Sequence, residues 1–462
     1  MSISPVGLVH MKHRHILPAG VLGALAVYFM IWPIWRAQFP VEIWFTESWN
    51  AFHQDAAVTT GVPLYPDGDQ LVVNNYPPLS FFVVGGLGKL FGDSLFVGRA
   101  LSIIGLITIA AEITLAVRIL AGSLLAGVVG AAWFVAIMAH NETRYVGAND
   151  PQIVGQAIMG AGLVWFLVRD RAGRSPVLPL VVMVVAGFWK HNIIAVPVTA
   201  ILWMCLRDWR AAVRPVSISA VVTVVGLGVC DLMFGPPFFA NLLTARAYSV
   251  GHLISQIGHL QWAALAAIIW AIWAWFDRAG YAARFTALHA AVGLFSCSLQ
   301  WFGDGVFGNA EFDLLIALGI GVGCAFARAS VSPVASMIGA NRARIVLVAL
   351  LALRLVASGR QESALVLFSP EFRARYEASA DAMTAAAARV SKIPGPVFCR
   401  QNNLVCRAAG KAFVVDDFKT DQLLATGKAT EADIAALLRD RGITVLDNLV
   451  PIQASASNNF YR

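Results

Sequence analysis

Long apolar blocks alternate with short basic loops along most of the chain. The blocks lie near 17–36, 95–120, 121–139, 152–168, 176–189, 193–206, 215–235, 256–276, 284–301, 310–328 and 344–358. Their lengths approach the roughly 20 residues a helix needs to cross about 30 Å of hydrocarbon. Because hydrocarbon offers backbone groups no hydrogen-bond partners, they predict an α-helical polytopic membrane protein with about eleven transmembrane helices. A shorter apolar run at 81–91 predicts a helix that lies flat on the membrane or re-enters it.

The basic loops test that count. Arg169, Arg171 and Arg174, then Arg207, Arg210 and Arg214, then Arg278 and Arg284, then Arg328, Arg342 and Arg344 share one side when the blocks are threaded in turn. The positive-inside rule makes that side cytoplasmic. Lys12 and Arg14 put the N-terminus there, and the run at 17–35 behind a basic flank at 10–15 reads as a signal anchor. A bacterial inner-membrane domain over 1–358 follows, with a first periplasmic loop at 37–94 and a periplasmic domain over 359–462. No internal repeat is visible in the sequence.

Charge returns after position 358. Helices are predicted at 371–393 and 430–439, and strands at 396–399, 412–415 and 443–446, which makes a small α/β domain. Cys399 and Cys406 are the only cysteines in it. An oxidising compartment allows them a disulfide; the alternative, a metal pair, lacks further ligands at the usual spacing. Cys205, Cys230, Cys297 and Cys324 lie in or beside apolar blocks and read as small buried residues.

Composition agrees. Of 462 residues, 58% are hydrophobic and 13% charged, about half the charged share of a soluble domain. A net charge of +7 would suggest nucleic acid in a soluble protein. Here the cations sit in loops, so membrane lipids are the expected surroundings and no nucleic-acid partner is expected.

The first outer loop carries the chemistry. It reads TESWNAFHQDA from Thr46, GVPLYPDGD from Gly61 and NNYPPLSFFVVGGLGKLFGDSLFVGRALS from Asn74. The ordered set Glu47, Gly61, Leu64, Tyr65, Pro77, Pro78, Leu79, Gly92, Gly98 and Arg99 resembles the GT-C glycosyltransferases, in particular the bacterial branch related to protein O-mannosyltransferases and aminoarabinose transferases. The resemblance implies a GT-C fold. It also implies inverting transfer of a sugar from a polyprenyl-phosphate donor to a lipid, glycan or protein acceptor at the periplasmic face. The family usually carries Asp-Glu where this chain has Thr46-Glu47, and its Asp is commonly assigned as the base. Either Glu47 has taken that role, or another acid has, or the chain is not catalytic. Glu47 at the head of a helix, whose N-terminus favours the ionised form, is the expected base; the alternative is an acid that stabilises the first turn.

Other polar groups join it. Asp55 lies further along the same helix face. Arg144, Tyr145, Asn149 and Asp150 stand between the third and fourth blocks, where the resemblance implies site residues. Asp150 either orients a sugar hydroxyl, binds a divalent ion or caps the helix that Pro151 opens. Lys190 and His191 interrupt an apolar stretch, where a charge costs about 2.5–3.5 kcal/mol; Lys190 meets the donor phosphate and His191 the substrate, or the two cap a hairpin. Arg246, His252 and His259 meet phosphate or snorkel to the lipid interface. Trp49 and Tyr76 stack on sugar or belong to the aromatic belt. Asp304, Asn309, Glu311 and Asp313 form a polar opening to the tenth block. Asp67, Asp69 and Asp304 lack ligand spacing, so a divalent cation is left open and no cofactor is assigned. Two rivals stand beside the transferase: a lipid-linked-sugar transporter, which would place polar residues at mid-bilayer in inverted repeats, and a non-catalytic sugar-lipid-binding homologue, which Thr46 favours.

Overall fold

The computed structural model describes residues 16–68, 71–447 and 449. Lys12, Arg14, the rest of the basic flank and Asp69 lie outside them. Every expected block is met by a helix. These are α1 (Ile16–Arg36), the loop helices α2 (Thr46–Val58) and α3 (Leu79–Phe91), then α4 (Ser94–Ala121), α5 (Leu124–Asn141), α6 (Pro151–Arg171), α7 (Val177–Trp189) and α8 (Ala195–Phe234). There follow α9 (Pro236–Leu242), α10 (Val250–Ile257), α11 (Ala264–Phe276), α12 (Tyr281–Gln300), α13 (Phe312–Ala327), α14 (Pro333–Ile338) and α15 (Ala340–Val356). Polar residues cap the turns between them: Asp93 accepts from the Leu95 N–H, Ser123 from Ala126 and Asp150 from Gln152.

Among the described residues, seven helices are long and apolar enough to cross a membrane, or eight if α10 and α11, bent by 70°, form one broken span. The expected eleven exceed this for three physical reasons. α7 has only 13 residues, and α15 only 17. The blocks at 193–206 and 215–235 run into one element of 40 residues, which breaks at Asp208 where φ is −159° and ψ 97°. The basic loops do gather at one end. Arg207 pairs with Asp170 at 2.7 Å, Arg171 lies over the Tyr281 ring, and Arg328 stands 3.8 Å from Asp277.

Helix α13 is central, with 94% of its apolar window buried, whereas α8 is peripheral with 11%. Val221, Val224, Val225, Val229 and Leu232 of α8 are exposed on one stripe, the face a membrane helix turns to lipid. Glycines let the central helices touch: a Cβ on Gly130 would overlap the Gly319 carbonyl.

At the other end the tail folds over the first loop. It contains α16 (Glu362–Phe368), α17 (Pro370–Val390), β1 (Val397–Cys399), α18 (Asn403–Ala408), α19 (Asp417–Ala425), α20 (Glu431–Asp440) and β2 (Thr444–Leu446). β1 and β2 pair in parallel, Val397 opposite Thr444. A Cys399–Cys406 disulfide links β1 to α18. The strand expected at 412–415 does not form. That segment runs instead to the first loop, where the Asp416 N–H donates to the Leu71 carbonyl at 2.8 Å.

Candidate active site

The approach to α2 is held by one arginine. Arg99, on the first turns of α4, donates to both carboxylate oxygens of Glu47, at 2.8 and 2.7 Å. It also donates to the carbonyls of Phe39 and Val41. Glu47 accepts two further bonds, from the backbone N–H groups of Ile43 and Asn149, at 2.7 and 2.8 Å. Its exposure is 0% and that of Arg99 1%. A carboxylate so saturated and enclosed has no lone pair to offer a substrate proton. The structure thus places Glu47, the expected base, as the buried counter-ion of Arg99, and the pair ties the 37–43 segment to α2 and α4.

The open space lies on the other side of α2. A cavity open to solvent, with about 730 Å³ of empty space when its open mouth is included, is lined from the first loop by Glu42, Phe45, Thr46, Ser48, Trp49, Val73, Asn75 and Tyr76. Arg246 and Gly305 close one side, and the tail supplies Gln401, Asn403, Phe413, Asp416, Asp417 and Phe418. Thr46 thus faces the cavity at the position where the resembling family carries its acid. Glu42 stands beside it, with Oε1 accepting from the Ser48 N–H at 3.1 Å. Glu42 is half-buried by surface area yet enclosed by protein atoms. Burial pushes it up to about 8, opposed by hydrogen bonding to Ser48 and reinforced by the Glu47 charge. Asp416 is pushed up to about 7 by burial. Its oxygens are already engaged, one capping α19 at Lys419 and one accepting from the Trp49 indole at 2.9 Å.

A second group borders the cavity through Tyr76. Lys190, 1% exposed, donates to Asp150 at 3.1 Å and stands 4.7 Å from the Tyr76 ring centroid. The same Asp150 oxygen caps α6, so capping and ion pairing coexist there. The His191 ring lies 6.0 Å from that of Tyr76. Arg246 lies over the Phe418 ring.

The remaining expected residues go elsewhere. Asn149 exchanges two amide hydrogen bonds with Gln54, both 2.8 Å, and its backbone holds Glu47, so it is packed inside rather than facing substrate. Asp55 accepts from Arg407 of the tail and from Ser94, which makes it a docking residue. Arg144 stacks over Trp44 and Phe307, and His252 bonds the Val306 carbonyl at 2.9 Å; neither lines the cavity. Sequence reasoning missed Glu42, Asp416 and Asp417. The paired acids before a helix were a visible signal, but nothing in the sequence brought the tail to the first loop.

The tail is fastened at several points. Arg407 bridges Asp55 and Asp93, Phe413 stacks on Phe52 at 4.8 Å, and Gln422 joins the Ala247 N–H to Asp304. One wall of the cavity is therefore tail.

No family model matches the sequence, and no curated protein matches it. Solved structures match its fold. ArnT from Cupriavidus metallidurans bound to undecaprenyl phosphate superposes with a TM-score of 0.58 over 91% of this chain and 90% of that one, at 15% identity. The apo state of that protein gives 0.56 over 92% and 90%, also at 15% identity. The archaeal oligosaccharyltransferase AglB from Archaeoglobus fulgidus, in complex with an inhibitory peptide and a dolichol-phosphate, gives 0.51 over 94% of this chain and 69% of that one, at 11% identity. The chain has the GT-C fold, and it is a helical membrane protein.

Proposed function

We propose that the chain is a membrane glycosyltransferase that takes a sugar from a polyprenyl-phosphate donor and passes it, with inversion, to a lipid, glycan or protein hydroxyl at the periplasmic face. The observation that carries this reading is the cavity beside the first loop. It combines acids, a cation and aromatic rings, in a fold two of whose solved examples hold undecaprenyl phosphate and a dolichol-phosphate.

Each part has a task. Arg246 contacts the donor phosphate from the cavity wall and stabilises the charge that grows on it as the glycosidic bond breaks. Lys190, held by Asp150 against Tyr76, lends a second positive charge from behind that ring. Trp49, Tyr76, Phe413 and Phe418 offer apolar faces to the sugar. Glu42 is the base in place of Glu47: it lines the cavity, and a carboxylate of raised pKa is the stronger acceptor of the hydroxyl proton. Asp416 and Asp417 hold sugar or acceptor hydroxyls from the tail.

The test uses purified full-length protein in detergent with radiolabelled polyprenyl-phosphate sugars and a membrane-lipid extract. Transfer by wild type, with donor binding weakened in Arg246→Ala, is the expected result. Donor binding without transfer from any sugar would support a non-catalytic sugar-lipid binder, which Thr46 favours. Neither binding nor transfer would sink the reading.

A further inference from the structure

Away from the cavity, three side chains from three separate segments converge. Glu142 follows the last turn of α5, His259 lies in the short 3-10 turn between α10 and α11, and Glu311 in the 3-10 turn before α13. One ligand atom of each lies within 4.8 Å of the others. Glu142 and Glu311 are 2% and 3% exposed. Oε2 of Glu142 and Oε1 of Glu311 have no hydrogen-bond partner among the described residues. His259 Nδ1 stands 3.8 Å from that Glu311 oxygen, too far for a hydrogen bond.

Two buried carboxylates with unfilled lone pairs are costly unless a positive charge answers them. Arg144, stacked between Trp44 and Phe307, brings one cation for the two acids. Gly308 makes the approach possible, since a Cβ there would overlap the Glu142 carboxylate. The backbone is therefore shaped to admit the acid that the local charge balance disfavours.

We propose that Glu142, His259 and Glu311 bind one first-row divalent cation of the zinc class. An imidazole nitrogen with two carboxylate oxygens is a borderline donor set, suited to zinc or manganese rather than to calcium, which takes six to eight oxygens. Ligand atoms around tetrahedral zinc stand about 3.3 Å apart, so small side-chain rotations close the trio on an ion. His259 keeps 25% of its side chain exposed, which leaves the fourth position to water.

None of the three ligands lines the cavity, so the ion does not meet the reacting atoms. It joins segments that lead to the cavity wall: Gly305 lies just before the 3-10 turn that carries Glu311, and Arg246 lies before α10, which leads into the turn of His259. The site positions that wall, and it stands whether or not the chain transfers sugar.

The experiment strips full-length protein in detergent with a chelator and titrates it with zinc, then with cobalt as a spectroscopic probe. Expected are one equivalent of zinc per chain, a rise in Tm on rebinding and visible absorption of four-coordinate cobalt. Glu311→Gln and His259→Ala each weaken binding about tenfold or more and remove the cobalt band, whereas Asp67→Asn, at an exposed acid outside the trio, changes neither. His259 is partly exposed, so its variant keeps the test readable if Glu311→Gln folds poorly. Folded wild type that takes up no zinc, or zinc uptake equal in all variants, overturns the proposal. So does a Glu311→Gln protein more stable than a wild type whose Tm ignores zinc, since the acids then merely share a proton.

Discussion

Glu42 and Glu47 approach the same helix and meet opposite fates. Glu47 is enclosed, paired with Arg99 and bonded by two backbone N–H groups. Glu42 faces the cavity, with its Oε1 accepting from the Ser48 N–H. The first is a scaffold, because a buried ion pair with every lone pair filled resists change. The second is poised for chemistry, because burial raises its proton affinity while leaving it reachable. They are also linked. The Arg99 guanidinium that holds Glu47 bonds the Phe39 and Val41 carbonyls, and so sets where Glu42 begins.

The largest effect should come from splitting the scaffold. Arg99→Ala leaves Glu47 buried and unpaired and is expected to cost about 3–5 kcal/mol of stability, read by thermal unfolding in detergent; an unchanged Tm would break the contrast. Next, Glu42→Gln should lower transfer about 100-fold or more with Tm preserved. Equal loss in Glu47→Gln at intact Tm would return the base to Glu47.

Acidity sharpens the same contrast. Glu42 is pushed up to about 8, and a base works only when ionised. Transfer by wild type should therefore rise about tenfold per pH unit below that value and level off above it, and the Glu42→Gln profile should be flat over that range. A flat wild-type profile would remove Glu42 from the reaction. The smallest effect belongs to the tail clasp. Arg407 pairs with Asp55 and Asp93, which are 44% and 39% exposed. Arg407→Gln should thus cost only about 1 kcal/mol or less of stability, yet raise the KM for acceptor more than it lowers kcat, as measured by initial rates.

The sequence disclosed the helices because lipid imposes one rule on every span. It overcounted where that rule is met by pieces, as at Asp208 in α8 and in the short α7. The ordered motif of the first loop pointed at Glu47 and Arg99 together, and they do meet, as a buried ion pair. Asp150 and Lys190 were singled out separately and form one ion pair. What stayed hidden depended on long-range contact. Asp416 stood just past the strand expected at 412–415, and its bonds to Leu71 and Trp49 show that the first loop claims that segment. Glu42 sat just outside the motif, and burial, which raises its proton affinity, is not written in local sequence.

The two-sided cavity also fixes a moment in the life of the protein. Trp49 and Asp416 face each other across 367 positions. At roughly 5–20 residues per second, a ribosome needs on the order of tens of seconds to travel from one to the other. During that interval the first loop is already made but has no opposite wall. A nascent chain, or one terminated before Asp416, would thus sit in the bilayer with one half of the cavity wall missing.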